Sequence, residues 1–209
     1  MIRSAGMTRR QLRRELRQKR RALKPHEQHQ AARRLYRQLA QHPLFRRARH
    51  IALYLPNDGE IDPRLLMREA QRRGKATYLP SLQPWPRTRM KFQRVRPNER
   101  LIRNRFGIAE PARTAKGHRP VWALDMLIMP LVGFDEQGGR LGMGGGFYDR
   151  SLAFLARRKN RHKPTLLGVA HECQKVDRIP LEPWDVPVHA TISDRRWYQG
   201  KGVDDQRCG

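Results

Sequence analysis

Six glycines lie beside charged and aromatic side chains in the stretch DEQGGRLGMGGGFYDR. An apolar run at residues 126–132 precedes this stretch and predicts a fully buried strand of a parallel sheet, and a helical pattern from about residue 149 to residue 158 follows it. Glycines reach positive φ and let successive backbone N–H groups converge on one oxyanion, and a helix N-terminus adds about half a positive charge. Arg140 adds a full charge and a fork of donors. The pattern favours a phosphate-binding loop that contains Gly138, Gly139, Gly142, Gly144, Gly145 and Gly146.

Two common nucleotide motifs are absent from this stretch. No Gly-Lys-Ser/Thr closes the loop, which excludes a Walker A motif. The third glycine of the dinucleotide fingerprint would fall at Phe147, which excludes that motif as well. Glycine content alone leaves a tight turn between a strand and a helix as the alternative to a phosphate site.

A basic amphipathic helix is expected at the start of the chain. The residues TRRQ at positions 8–11 have the spacing of a capping box, and Leu12, Leu16 and Leu23 mark one apolar face among many arginines. These arginines either form a solvated face or include one or two that reach an anionic ligand. A second amphipathic helix follows and ends near Pro43.

Residues 51–79 have the pattern of a strand, a helix and a second strand. Residues 51–55 and 75–79 are the two strands. Asp62 is the expected N-cap of the helix, and Gly74 ends it. Such a unit has parallel strands, and ligands bind beyond their carboxyl ends. Glu60 follows the first strand and is expected at that edge.

Further strands are predicted at residues 90–95, 165–170 and 189–193, the first of them antiparallel or at an edge. The whole pattern predicts a single three-layer α/β domain over residues 8–198. Its mostly parallel sheet has about five strands plus an edge or antiparallel strand, with helices on both faces and a basic N-terminal helix. Residues 1–7 and 200–209 are expected to be disordered tails.

Three side chains outside the glycine-rich stretch have two interpretations each. Trp85 and Phe106 either pack as small satellite cores or line a ligand cleft. His171 follows a buried strand, where a hydrogen-bonded structural histidine is favoured over a catalyst.

The charge balance is strongly basic, with 45 Lys and Arg against 19 Asp and Glu and a formal net charge of +26. Such a chain attracts polyanions, but its basic residues are spread along its length, which favours a generally basic surface over a dedicated nucleic-acid site. The two cysteines do not suggest a disulfide. No apolar run reaches the roughly 18 residues needed to span a membrane, and no secretory signal is visible. We therefore expect a cytoplasmic protein without a membrane partner.

Five stretches resemble one known family in order and spacing. The stretch PLVGFDEQGGRLGMGGGFYDR is similar to the signature of the 5-formyltetrahydrofolate cyclo-ligases, also called methenyltetrahydrofolate synthetases. The other stretches are RRQLRRELRQKRRAL with the following KPHEQ, ALYLPNDGEID, NRFGIAEP and VDRIPLEPWDVPV. The resemblance covers about residues 8–195. Its motif RLGMGGGFYDR is specific, whereas the other pieces are weak individually and strong together.

The resemblance implies a reaction in which 5-formyltetrahydrofolate and ATP give 5,10-methenyltetrahydrofolate, ADP and phosphate with the help of Mg²⁺. A formamide carbonyl is a poor electrophile, and its oxygen is a poor leaving group. Phosphorylation of that oxygen gives an N5-iminium phosphate, which N10 of the folate can attack as phosphate leaves. Positioning and electrostatic stabilisation do most of the work in phosphoryl transfer.

The resemblance also assigns roles to individual positions. Asp149 and Asp185 match positions that hold Mg²⁺, for which hard carboxylate oxygens are suitable ligands. Arg140 and Tyr148 are the expected catalytic residues. The nucleotide would be bound by Arg9, Arg13, Arg140, Leu141, Gly142, Met143, Gly144, Gly145, Gly146, Phe147 and Tyr148. The folate would be bound by Leu55, Glu60, Met143, Gly144, Gly145, Gly146 and Phe147.

Two positions depart from the family pattern. Arg9 stands where the family commonly has Lys, and a planar fork is not equivalent to a point charge. His189 stands where many members have an acidic residue, so no role is assigned to it.

Two other functions remain open at this point. A basic nucleic-acid-binding protein could keep this fold, although its basic residues would be concentrated and aromatic side chains would be exposed for stacking. An ATP-dependent enzyme acting on another substrate is the second alternative. We expect a monomer that binds 5-formyltetrahydrofolate with or without a polyglutamate tail. Any nucleic-acid binding is expected to be weak, non-specific and lost as salt is raised.

Overall fold

A computed structural model of the protein describes residues 4–83, 85, 90–112, 117–157 and 164–200. Within these residues the chain forms one eight-stranded sheet, two two-stranded hairpins and five α-helices. None of these helices is long and apolar enough to cross a membrane. The helices are α1 (Arg9–Arg21), α2 (Pro25–Ala40), α3 (Pro43–Arg47), α4 (Arg64–Arg72) and α5 (Phe147–Leu152). The strands are β1 (His50–Ala52), β2 (Ala76–Leu82), β3 (Met90–Val95), β4 (Leu101–Arg103), β5 (Ala109–Pro111), β6 (His118–Arg119), β7 (Met126–Pro130), β8 (Gly133–Phe134), β9 (Arg140–Leu141), β10 (Thr165–Ala170), β11 (Ala190–Ser193) and β12 (Trp197–Gln199).

The large sheet has the strand order β12-β11-β10-β7-β1-β2-β3-β6. The five strands from β11 to β2 are parallel, which confirms the predicted number. The three outer strands are antiparallel, one at the β11 side and two at the β2 side, where one such strand was predicted. The antiparallel interpretation of β3 is confirmed. The edge interpretation is wrong, because Phe92 and Gln93 also pair with β6.

Side chains alternate along the central strands and so build a core on each face of the sheet. Ile128 of β7 belongs to the buried cluster that contains Leu35 of α2 and Leu66 of α4. Its neighbour Leu127 belongs to the cluster on the opposite face, together with Leu152 of α5. Helices therefore cover both faces, as predicted, and the longer ones lie on the first face.

Helix α1 lies at the carboxyl edge of the sheet. Its predicted capping box is present, with Thr8 N donating to Gln11 Oε1 at 2.8 Å and Gln11 N donating to Thr8 Oγ1 at 3.3 Å. Leu12 and Leu16 are fully buried in one cluster with Val132, which follows β7. The helix therefore packs at the end of the sheet where parallel α/β proteins bind ligands.

A small hairpin separates the central strand from the glycine loop. β7 ends at Pro130, earlier than predicted, and β8 then pairs with β9. Gly138 and Gly139 lie in the turn of this hairpin. The phosphate loop predicted with six glycines therefore keeps four of them. Helix α5 begins two residues before the predicted start at Asp149.

Several other boundaries differ from the predictions. β1 ends at Ala52, although Leu53 N still donates to a carbonyl of β2 at 2.9 Å. Helix α4 begins at Arg64 with Pro63 as its N-cap, so the prediction of Asp62 as N-cap is wrong, although Asp62 Oδ1 accepts the N–H of Arg64 at 2.8 Å. The sequence patterns did not predict the short elements α3, β4, β5, β6 and β12. Elements of two to five residues are too short to show a hydrophobic period.

The expected disorder of the N-terminal tail does not extend to Ser4. Ser4 is buried, and its N–H donates to Asp177 Oδ1 at 2.8 Å. Its hydroxyl donates to the carbonyl of Arg178 at 2.5 Å. Residues 1–3 and 201–209 lie outside the described residues, so the disorder expected there stays a prediction.

Asp135 stabilises the hairpin, and its loss should destabilise the fold. It is 2% exposed, and its carboxylate accepts the N–H groups of Gln137 at 3.0 Å, Gly139 at 2.7 Å and Ile179 at 2.8 Å. We expect Asp135→Ala to lower the free energy of unfolding by about 2–4 kcal/mol, because three backbone donors lose their acceptor. Urea denaturation followed by circular dichroism measures this difference.

The neighbouring Glu136 provides the control. Its side chain is half-exposed and pairs with Lys175 and Arg196 at the surface. Glu136→Ala should change the free energy of unfolding by less than about 1 kcal/mol, as is usual for exposed ion pairs. Equal losses for the two variants would show that the Asp135 hydrogen bonds do not hold the hairpin.

Candidate functional site

A cavity of about 1480 Å³ opens at the carboxyl edge of the sheet. Segments that follow β1 and β7 contribute to its wall, together with α1 and the loop before β11. The structure thus brings fourteen of the fifteen predicted site residues to one cavity. They are Arg9, Arg13, Leu55, Glu60, Arg140, Gly142, Met143, Gly144, Gly145, Gly146, Phe147, Tyr148, Asp149 and Asp185.

Leu141 is the predicted site residue whose side chain does not line the cavity. It is fully buried in the cluster with Leu12 and Leu16 of α1. Its neighbour Arg140 does line the cavity. Successive side chains of a strand point to opposite sides, so β9 sends one of the two residues to the site and the other to the core. The expected contact of Leu141 with a ligand is therefore limited to its backbone.

Two arginines hold the glycine loop between β9 and α5. Arg13 Nε donates to the carbonyl of Gly142 at 2.8 Å, and Arg150 donates to the carbonyl of Gly145. The C=O and N–H groups of a trans peptide point in opposite directions. The N–H of the residue that follows each bound carbonyl therefore points away from the arginine. Gly144 and Gly146 have φ values of 96° and 61°, which favour glycine. The loop conformation is thus held by two side-chain hydrogen bonds and by glycines at positive φ.

Two arginine–carboxylate pairs lie beside this loop. Arg9 binds both oxygens of Asp185, one of them at 3.1 Å. Arg140, which is 5% exposed, pairs with Asp149 and also donates to the carbonyl of Val186 at 2.6 Å. Burial alone would raise the pKa of Asp185, but the hydrogen bonds to its carboxylate outweigh burial and lower that pKa. Each of the two carboxylates therefore lies beside a guanidinium.

The two carboxylates fit the predicted Mg²⁺ site in number and type. Asp149 and Asp185 both line the cavity and both contact the loop before β11. The described residues contain no group of three or more His, Cys, Asp or Glu side chains placed to hold a metal. Two carboxylates suit Mg²⁺, which usually takes one or two from the protein and completes its shell with waters and phosphates.

Glu60 is a partly buried acid in the cavity wall. Its carboxylate accepts the N–H of Asn57 at 3.1 Å. Burial raises the pKa of Glu60 to about 7, although Arg20 and the Asn57 hydrogen bond oppose the rise. Burial and the nearby charge of Glu60 raise the pKa of Tyr54 and of Tyr148. An acid and two phenols thus share a poorly hydrated part of the cavity.

Phe106 lines the cavity mouth and makes an edge contact with Phe147, at 6.2 Å between ring centroids. Of the two interpretations for Phe106, lining a cleft is confirmed. Trp85 is 83% exposed and is not part of the cavity wall, so neither interpretation holds for it. The sequence analysis missed Trp184 and Tyr54, which also line the cavity. Their positions beside Asp185 and Leu55 were the available signal.

The two histidines considered earlier have structural contacts. His171 is buried, and its Nε2 lies 3.1 Å from the carbonyl oxygen of Gly59. Burial lowers the pKa of His171, which favours the neutral ring. His189 lines the cavity, and its Nδ1 accepts the N–H of Leu166 at 2.9 Å. The structural interpretation of His171 therefore agrees with its contacts.

Both the sequence and the fold are similar to those of known proteins. The chain is 38% identical over 184 residues to the 5-formyltetrahydrofolate cyclo-ligase of Escherichia coli (strain K12), covering 88% of this chain and 99% of that one. It is 40% identical over 186 residues to the enzyme of the same name from Haemophilus influenzae, covering 86% and 94% of the two chains. The NMR structure of the Aquifex aeolicus 5,10-methenyltetrahydrofolate synthetase superposes with a TM-score of 0.80 at 29% identity, covering 97% of this chain and 96% of that one.

A family model agrees with these pairwise similarities. The model described as the 5-formyltetrahydrofolate cyclo-ligase family matches residues 5–194. This span includes the glycine loop and both arginine–carboxylate pairs, which the sequence resemblance had already assigned to the site. The chain therefore belongs to the 5-formyltetrahydrofolate cyclo-ligase family.

Proposed function

We propose that this protein converts 5-formyltetrahydrofolate to 5,10-methenyltetrahydrofolate with Mg²⁺ and ATP, releasing ADP and phosphate. The observation that carries the proposal is the content of this cavity. A glycine loop held by two arginines, two carboxylates paired with arginines and a partly buried glutamate all line it. The family relationship supplies the substrate class.

The reaction needs the two substrates side by side. The formyl oxygen attacks the γ-phosphorus of ATP, the bond to the bridging oxygen breaks, and ADP leaves. The resulting N5-iminium phosphate has an electrophilic carbon, which N10 attacks with its electron pair. Loss of phosphate and of the N10 proton then gives the methenyl product. Every step requires exclusion of water, which would otherwise consume the activated intermediate.

The nucleotide side of the proposed site is formed by α1 and the glycine loop. Backbone N–H groups of the loop bind the phosphates, as is common at a loop that leads into a helix. Arg9, Arg13 and Arg140 are positive groups on the same cavity wall. They can neutralise the charge that develops on the phosphoryl group during transfer, and Tyr148 lies next to this loop.

Asp149 and Asp185 would hold Mg²⁺, which neutralises phosphate oxygens and favours transfer of the phosphoryl group. Each carboxylate is now paired with an arginine. A triphosphate brings negative charge for these arginines at the same time as the ion brings positive charge for the carboxylates. The pairs can therefore exchange partners without leaving a buried charge uncompensated.

The folate side of the proposed site is formed by Leu55, Glu60 and the residues from Met143 to Phe147. The ionised carboxylate of Glu60 accepts hydrogen bonds from N–H donors of the pterin ring. The exposed ring of Phe106 at the mouth adds an aromatic surface for the rest of the folate. The described backbone and side chains thus provide an acceptor and apolar walls for a flat heterocycle.

The other functions considered from the sequence have weaker support. An ATP-dependent enzyme for another substrate would have no evident use for Glu60 beside the glycine loop. A nucleic-acid-binding protein would use exposed basic side chains, whereas Arg9, Arg13 and Arg140 are turned to the cavity. We therefore propose a cytoplasmic monomer that takes folates with or without a polyglutamate tail.

The carboxylate pair provides the first test of this function. We expect Asp149→Asn and Asp185→Asn each to lower kcat by at least about 100-fold, because a phosphoryl-transfer step loses charge stabilisation. Both replacements keep the size of the side chain. The measurement is the absorbance of methenyltetrahydrofolate formed from 5-formyltetrahydrofolate and Mg·ATP.

Asp177→Asn is the matched control for these two variants. Asp177 is an exposed carboxylate on the same stretch, and its partner is Ser4. Its replacement should leave kcat within about twofold of the unmodified protein, as expected of a surface site. Absence of turnover in the unmodified protein, or full activity in both cavity variants, would refute the proposal.

Glu60→Gln should weaken folate binding and yet stabilise the free protein. The pKa of Glu60 lies at about 7 in the fold and near 4.5 in an unfolded chain, so ionisation of Glu60 destabilises the fold as pH rises through this range. Gln removes this cost, and the variant should be more stable at pH 8 by about 2–3 kcal/mol, a gain that shrinks toward pH 4.5. Urea denaturation at several pH values measures it.

The same substitution should raise KM for 5-formyltetrahydrofolate at pH 8 by about tenfold or more, because a charged acceptor is lost. In the unmodified protein, KM should rise as pH falls below about 7, where the Glu60 carboxylate becomes protonated. Glu60→Gln should lack this dependence. Glu136→Gln, an exposed control, should change neither quantity. An unchanged KM for Glu60→Gln would refute the folate-side assignment.

A further inference from the structure

Glu60 is carried by a tight turn between β1 and α4. Glu60 N donates to the carbonyl of Asn57 at 3.0 Å, and Asn57 N donates back to the Glu60 carboxylate at 3.1 Å. The two central residues, Asp58 and Gly59, both have positive φ, at 54° and 76°. Two successive positive φ angles are typical of a type I′ turn. The direction of the Glu60 side chain therefore depends on this turn.

Asp58 ties the turn to helix α1 through three arginines. Its carboxylate accepts from Arg17 Nε at 2.8 Å, from Arg20 Nη2 at 2.6 Å and from Arg21. Arg20 Nε also donates to the backbone carbonyl of Asp58 at 2.8 Å. One carboxylate thus receives three guanidinium groups from successive turns of a single helix.

This contact is more than a surface ion pair. The Arg20 side chain is completely buried, and that of Asp58 is only 10% exposed. Burial alone would raise the pKa of Asp58, but the hydrogen bonds of the three arginines outweigh it and lower that pKa to about 2. A buried guanidinium without its counter-charge is costly, so the turn and the helix are held together.

Helix α1 consequently contacts both sides of the cavity. Its first half carries Arg9 and Arg13, which line the cavity next to Asp185 and the glycine loop. Its second half holds Asp58, two residues before Glu60. The proposed chemistry gives no role to Asp58, although this residue lies at the cavity wall.

We propose that Asp58 is a positioning residue, which fixes the turn of Glu60 to α1 and so places the Glu60 carboxylate for the folate. One helix thereby sets the spacing between the nucleotide-side arginines and the folate-side acid. This inference rests on the proposed function for the meaning of Glu60. Its structural part, the link from Asp58 to the turn, stands without a substrate.

The electrostatic surroundings of Glu60 give the proposal a second consequence. The charges of Arg20 and Asp58 act on Glu60, and the Glu60 charge acts in turn on the phenols of Tyr54 and Tyr148. His171 contacts the same turn through the Gly59 carbonyl. Replacement of Asp58 by a neutral side chain removes a negative neighbour and leaves Arg20 less compensated. Both changes favour the ionised form of Glu60. The pH below which KM for 5-formyltetrahydrofolate rises should therefore be lower in this variant.

Asp58→Asn is the variant of choice, because Asn tolerates positive φ and keeps the turn geometry accessible. Asp62→Asn is the matched control. Asp62 belongs to the same loop and pairs with Arg64 at the surface, away from α1. Both variants are made in the unmodified protein and in Glu60→Gln. KM for 5-formyltetrahydrofolate, kcat and their pH dependence are measured for each, with urea denaturation to compare stability.

We expect Asp58→Asn to raise KM for the folate about tenfold at pH 8, with kcat changed less than KM. The effect should fall to about twofold or less in the Glu60→Gln background, because the two residues act as a unit. A residue that merely stabilises the fold would give the same factor in both backgrounds. The positioning role would be overturned if Asp58→Asn raised KM by the same factor in both backgrounds. It would also be overturned if the pH below which KM rises were unchanged in Asp58→Asn.

Amide hydrogen exchange of the free protein tests the link without any substrate. We expect faster exchange at residues 57–60 in Asp58→Asn than in Asp62→Asn or the unmodified protein. Unchanged exchange in Asp58→Asn would overturn the inference. Failure of the unmodified protein to turn over 5-formyltetrahydrofolate would instead refute the proposed function, and the exchange data would still decide whether Asp58 fixes the turn.

Discussion

Pairing of arginines with carboxylates at the carboxyl edge of the sheet is the interaction on which the site depends. Arg9 with Asp185 and the α1 arginines with Asp58 each join a helix to a loop, and Arg140 with Asp149 joins β9 to α5. Separation of any of these pairs would leave a largely buried charge uncompensated, which costs several kcal/mol. Loops that are usually mobile in α/β proteins are therefore fixed here by charge rather than by apolar packing.

The same pairing explains how an ordered site can still accept charged ligands. An apolar contact that closed the cavity would have to be broken on binding, with no replacement. Under the proposed function, each guanidinium would exchange a carboxylate for a phosphate, and each carboxylate would be available to the metal ion. The glycine loop needs no such exchange, because Arg13 and Arg150 hold carbonyl groups of the loop and leave its N–H groups directed elsewhere. Loops that are fixed by ion pairs at this edge of the sheet could thus still bind charged ligands.

Much of the fold followed from sequence patterns, because buried parallel strands and amphipathic helices have strong periods. The five parallel strands, the α1 capping box and the left-handed residue Gly74 at the end of α4 were all predicted correctly. The β8–β9 hairpin was missed because Gly138 and Gly139 have the same sequence appearance as the loop glycines that follow. Only the contacts of Asp135 distinguish the two groups, and such contacts join residues that no local pattern connects.

The site residues were identified through the family resemblance, but not their present partners. The resemblance implies that Asp149 and Asp185 are metal ligands, and neither residue type nor spacing indicates that each is paired with an arginine. Asp58 was missed for the same reason. It is one of several acids in a polar loop, and its three partners lie 37 to 41 positions away in the sequence.

The arginines of α1 differ in their position relative to the apolar face of the helix. A solvated face and a ligand-binding face were the two interpretations of these arginines. Some of them are exposed and others line the cavity or hold a loop, and ligand binding by the latter stays a prediction. Arg10 and Arg14 are exposed, whereas Arg13 lies one position from the buried Leu12 and reaches the cavity. Arg20 lies four positions after the buried Leu16, on the same face, and is itself buried. Because the apolar stripe marks the face that meets the protein, arginines within or beside that stripe are the ones that hold loops or line the cavity.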